Sequence, residues 1–219
     1  MTGPARASLL VALALAAAGC VSGGAAPAGA PLAPEAVASA KGAWSRHREA
    51  AFAPRRFKAL FRGEAIPKVG PVARGYVSVF WDGRSLDWRL SAPVAGGVRS
   101  GRVSLGDARP MSGLLPGRVE GPDVIGVVFG VLDRDAGGAT ASGEREGVRL
   151  DFGGGRSALV DPAGQVVEIG LPGGVVARIT PGAGVPRRVR LHGPDGTADL
   201  TLQSFGPWDE GEPAPPAAG

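Results

Sequence analysis

The sequence predicts an α+β chain that is mainly β, folded as a curved antiparallel sheet or incomplete β-barrel covered by helices. Apolar residues recur at every second position through most of the chain, as they do in strands with one buried face. Turn signals separate these runs at hairpin spacing, Asp82-Gly83 being the clearest. Helix-like spacing is confined to two short stretches.

The first of those stretches opens the domain. Pro34 suits a first helical turn, Ala36, Val37, Ala40, Trp44, His47 and Ala51 follow at helical intervals, and Pro54 ends the segment. The period then changes to two. Val77, Val79 and Trp81 point one way in one run, and Leu86, Trp88 and Leu90 do so in the next, with Ser85, Asp87 and Arg89 opposite. The same alternation returns in Val148, Leu150 and Phe152, in Val167, Ile169 and Leu171, in Val189 and Leu191, and in Ala198, Leu200 and Leu202. Turn residues at 161–164 and 194–196 separate the later runs, which describes a long antiparallel meander. One stretch interrupts it. Asp123 suits a helix cap, and Val124 to Leu132 is apolar nearly all round. Gly126 and Gly130 weaken that helix by roughly 1 kcal/mol each relative to alanine, so a strand is the competing assignment.

The first residues of the 219-residue chain read as an export signal, with Arg6 supplying charge ahead of the apolar run Leu9 to Ala18. That run is too short to span a bilayer. Ala17-Ala18-Gly19-Cys20 resembles the bacterial lipobox, which implies removal of residues 1–19 and lipid on Cys20. The competing reading is an ordinary secretory signal with an incidental cysteine. Cys20 is the only cysteine, so no internal disulfide can form. Residues 20–33 are mostly Gly, Ala and Pro and are expected to be a flexible tether, 34–208 one domain, and 209–219 a disordered tail. The net charge of +4 is scattered along the chain, which argues against a nucleic-acid partner.

Catalytic groups are sparse, and no enzyme is expected. His47 and His192 are the only histidines, and neither has a metal-ligand spacing. Asp133 and Asp135 lack the closing carboxylate of an EF-hand loop and are read as part of a flexible polar loop. Gly153-Gly154-Gly155-Arg156 lacks the Lys-Ser/Thr of a phosphate loop. An enzyme would need perturbed acids in a cleft, for example around Glu144, Glu146 and Asp151. No metal or cofactor is expected. Both faces of the run from Tyr76 to Trp81 carry large apolar groups, so one face packs on the core and the other is covered by a helix or filled by ligand. Val77, Val79, Trp81, Leu86, Trp88, Leu90 and Phe129 are the candidate lining of an apolar concavity.

Two stretches carry a family resemblance. Trp88 to Gly97 with the return run Arg102 to Asp107, and Met111 through Pro122 to Leu132, are similar to the LolA/LolB group of lipoprotein carriers, most of all to LolB. The resemblance implies a half-barrel over 34–208, lipid-anchored to the outer membrane and facing the periplasm. It would bind acyl chains or lipoproteins handed over by a periplasmic carrier protein. It also implies a membrane-contact loop with Val94 at the position where the family carries leucine. The alternative is a structural or interaction lipoprotein of the envelope with a filled core and no ligand.

Cys20→Ser is expected to release the protein from membranes while leaving the domain folded, because the tether separates anchor from core. Fractionation tests this: a variant that still sediments with membranes and resists salt extraction would exclude lipid on Cys20 as the anchor.

Overall fold

Period-two alternation becomes eleven antiparallel strands in a computed structural model that describes residues 32–53, 55–92, 97–106 and 120–209. Helix α1 (Pro34–Phe52) comes first, with Pro34 in its first turn and Glu35 at the positive end of its dipole. Four strands follow: β1 (Phe57–Pro67), β2 (Ala73–Trp81), β3 (Ser85–Ala92) and β4 (Gly97–Ser104). Helix α2 (Gly121–Phe129) precedes β5 (Thr140–Glu144), β6 (Gly147–Gly153), β7 (Arg156–Val160) and β8 (Val166–Leu171). The chain ends with β9 (Val175–Thr180), β10 (Arg188–Gly193) and β11 (Gly196–Pro207).

The strand order is β4-β3-β2-β1-β11-β10-β9-β8-β7-β6-β5. Neighbours are consecutive in sequence except at the centre, where the first strand pairs with the last, Phe57 opposite Pro207 and Pro67 opposite Gly196. The edges are β4 and β5, and the sheet is open between them.

The curvature follows from what α2 touches. This helix lies against β4, its Phe129 ring is 5.1 Å from Trp81 in β2 and 5.5 Å from Phe57 in β1, and its Asp123 bonds Arg156 in β7. Across the strand order, β4 and β7 would lie about 38 Å apart in a flat sheet with strands ~4.8 Å apart. A nine-residue helix is only about 13 Å long, so the sheet must curl around it. The inner face is apolar from strand to strand, with Phe61, Val79, Leu150, Ile169, Val189 and Leu200 all buried.

The 123–132 stretch is helical over Gly121–Phe129. Glu120 and Asp123 form a capping box, in which the Glu120 backbone N–H donates to Asp123 Oδ2 at 3.0 Å. Gly130, at φ +72°, ends the helix in a left-handed conformation that a side chain would strain. Both glycines that weaken the helix serve its stop, since a Cβ on Gly126 would lie 2.7 Å from Leu132 where the chain folds back.

Three expectations change. The stretch with Asp133 and Asp135 is fastened to α1 where a flexible polar loop was expected: Arg48 pairs with Asp133 at 2.7 Å, Trp44 Nε1 donates to the Arg134 carbonyl at 2.8 Å, and Lys41 Nζ donates to the Gly137 carbonyl at 3.1 Å. Burial of Val131, Leu132, Ala136 and Ala139 provides the reason, as the segment packs apolar groups inward. In β8 a register shift opposite Leu159 and Val160 buries Val166 and leaves Val167 half-buried. The outer apolar group of β2, Phe80, meets Trp208 edge-on at 5.6 Å, so the residue after β11 covers that side where a helix or ligand was expected.

Asp123 is 1% exposed and takes two hydrogen bonds from Arg156, at 2.7 and 2.8 Å, which fix the N-terminal end of α2 on β7. Asp123→Ala should therefore cost about 2–4 kcal/mol, because it leaves the Arg156 guanidinium only the more exposed Glu120 as a partner and removes a cap. Urea unfolding measures this, and an unchanged midpoint would mean that the pair does not hold α2.

Candidate functional site

The seven lining candidates converge on one interior. Val77, Val79 and Trp81 stand on the inner face of β2, Leu86 and Leu90 on that of β3, and Phe129 at the end of α2, all buried in one cluster. Trp88 packs at the margin of this cluster. It lies across Gly101, its partner on β4, where an added Cβ would come within 2.7 Å of the indole. The Nε1 atoms of Trp81 and Trp88 are both buried and have no hydrogen-bond acceptor among the described residues.

Aromatic rings fill the space between sheet and helices. Phe129 touches Phe52 of α1 at 5.0 Å, Phe57 at 5.5 Å and Trp81 at 5.1 Å, the last two edge-on. Trp44 stacks obliquely on Phe152 at 4.8 Å. Beyond Phe129 a pocket of about 290 Å³ opens between the ends of α1 and α2, β8, and the β9–β10 connection. Its walls include Ala50, Ala51, Val131, Ile179 and Val185, with Arg55 and His47 at polar positions. Phe129 is the one lining candidate that also borders this pocket. Sequence reasoning missed the other walls, because they come from four separate elements and carry no motif.

Apart from His47 on the pocket wall, the titratable groups weighed for an enzyme lie elsewhere. Arg149 holds Glu144 and Glu168, the latter at 2.8 Å, on the outer face of the sheet, and the Arg149 hydrogen bond keeps the Glu144 carboxyl below the usual range. Glu146 is exposed, and Asp151 accepts the Gly153 N–H at 2.7 Å in a turn. The ring of His47 meets the Gly164 carbonyl at 2.9 Å, while His192 lines an outer groove with Glu64 and Asp199. No cluster of metal-ligating side chains occurs among the described residues, and no helix among them is long and apolar enough to cross a membrane. Cys20 and Val94 lie outside the described residues.

Phe129→Ala should extend the pocket to the rings of Phe57 and Trp81, which Phe129 now touches, and cost about 3–5 kcal/mol in stability. A loss below ~1 kcal/mol in urea titration would show that the ring is not packed against its aromatic neighbours as described.

Neither a protein-family model nor a curated protein matches the chain. Among solved structures it is similar to a LolA superfamily protein from Nitrosomonas europaea, with 13% identity, TM-score 0.33, and coverage of 78% of this chain and 94% of that one. It is also similar to a domain assigned to outer membrane lipoprotein sorting from Vibrio parahaemolyticus, with 7% identity, TM-score 0.43, and coverage of 80% and 96%. At these identities and scores, the functional reading rests on the chain's own geometry.

Proposed function

We propose that the chain is an envelope lipoprotein, held on the outer membrane by lipid on Cys20 and facing the periplasm, whose half-barrel carries an acyl chain or a lipidated protein. One observation carries this reading. The apolar inner face of an open sheet is closed by the chain's own short helix, and a pocket stands open at that helix's end with Phe129 as the dividing wall. A volume of about 290 Å³ is at the lower bound of small-ligand pockets, roughly 300 Å³. Withdrawal of Phe129 would extend it to the faces of Val77, Val79, Trp81, Leu86, Trp88 and Leu90. Each methylene buried there contributes about 0.8 kcal/mol, and no covalent step is needed.

The two indole N–H groups add a polar argument. A buried donor without an acceptor costs about 1–3 kcal/mol, and an ester or amide carbonyl of a lipidated cargo would offset it. The sequence resemblance to LolB supports delivery from a periplasmic carrier protein and bilayer contact through Val94. The strand ends that flank Val94, at Ala92 and Gly97, share one end of the sheet with the β1–β2 hairpin. There Val69 is 91% exposed, with Ile66 and Val72 exposed beside it, so that end presents apolar side chains to its surroundings.

A second reading, a filled-core scaffold of the envelope, is favoured by the contacts among Phe52, Phe57, Trp81 and Phe129, which occupy the interior as it stands.

Displacement of a fluorescent acyl probe decides between them. The carrier binds the probe, and Ala50→Trp, a substitution at an exposed position on the pocket wall, abolishes binding without unfolding the domain. Val94→Glu leaves probe binding intact and slows transfer of a lipidated cargo to vesicles. Absence of probe binding by the unaltered protein would leave the scaffold.

A further inference from the structure

The pocket walls carry one charge without a counter-charge. Arg55, between α1 and β1, donates from Nη2 to the Gly184 carbonyl at 3.0 Å and sets its guanidinium 5.6 Å from the Phe57 ring centre. Its Nε is buried and has no hydrogen-bond partner. Four other partly buried arginines are matched to carboxylates: Arg48 to Asp133, Arg149 to Glu144 and Glu168, Arg156 to Asp123 and Glu120, and Arg188 to Asp199, while Arg56 lies over the Trp208 ring at 4.5 Å. Among the described residues Arg55 has no such partner, and no acidic side chain lines the pocket. His47, the other polar side chain on its wall, is engaged with the Gly164 carbonyl.

We infer that this pocket binds a single-chain lipid with an anionic head, its chain against Ala51, Phe129, Ile179 and Val185 and its carboxylate or phosphate on Arg55. This rests on the acyl-chain reading above and adds the class of head group. The chemistry is complementary at both ends. A guanidinium without a carboxylate partner suits a planar or tetrahedral oxyanion, since charge-assisted bonds to Arg are short and paired. An uncharged head would leave the guanidinium charge without a counter-ion.

The test compares dodecanoate, dodecyl phosphate and dodecanol as competitors of a fluorescent acyl probe on the purified protein, with inorganic phosphate as a fourth competitor. The two anionic lipids should displace the probe at concentrations about tenfold or more below that of dodecanol. Arg55→Gln should bring all three to the dodecanol level, and Arg55→Lys should restore part of the preference. Equal potency of dodecanol and dodecanoate on the unaltered protein overturns the head-group assignment while leaving acyl binding in place, and needs no folded variant. A preference that survives in Arg55→Gln overturns it as well. Displacement by inorganic phosphate alone would make this a site for a free anion and sink the lipid assignment. If none of the dodecyl compounds displaces the probe, or the probe does not bind, the acyl-chain reading itself fails and takes this inference with it.

Discussion

The seating of α2 in the groove of the sheet is the constraint on which the rest of the structure depends. Eleven strands in one open layer present a continuous apolar face, and a face of that size cannot be left to water. A sandwich covers it with a second sheet, and a closed barrel folds it on itself. Here two helices share it: α1 packs on β6 and β7, and the nine-residue α2 is anchored at one end by Asp123 on Arg156 and at the other by Phe129 among the rings of β1, β2 and α1. The two anchors differ in kind. An ion pair in a nearly dry site is directional and fixes position, whereas ring contacts tolerate sliding.

Much of this was legible in the sequence because burial on one side of a strand writes itself as period two. Helix α1 follows the spacing of its apolar residues from Pro34, and the β2–β3 hairpin follows from Asp82-Gly83. Leu86, Trp88 and Leu90 face inward as their alternation implies. Long-range features left no such trace. Nothing in the local pattern of β1 or β11 says that they pair with each other, because pairing partners are chosen by the whole sheet. The stretch from Asp133 to Ala139 reads as polar, yet its backbone is held by Trp44 and Lys41, donors about ninety residues away.

The candidate site divides the same way. Alternation gathers Val77, Val79, Trp81, Leu86 and Leu90 on one face, which is a statement about strands. The pocket instead lies where two helix ends meet a loop, and its polar member, Arg55, sits just after the first helix in a stretch with no periodic signal. What marks Arg55 is a missing partner, and a missing partner is visible only once every neighbouring carboxylate has been placed.

The junction of β1 with β11 has a consequence for the order in which the protein can be made. Strands β1 to β4 and β5 to β10 can form as hairpins from neighbouring residues, but the two halves join only through the last strand. Until Gly196–Pro207 has been synthesised, β1 and β10 each keep an unpaired edge and the sheet cannot complete. Contacts of such long sequence separation slow folding. A chain built this way stays short of its final form until its last strand has left the ribosome.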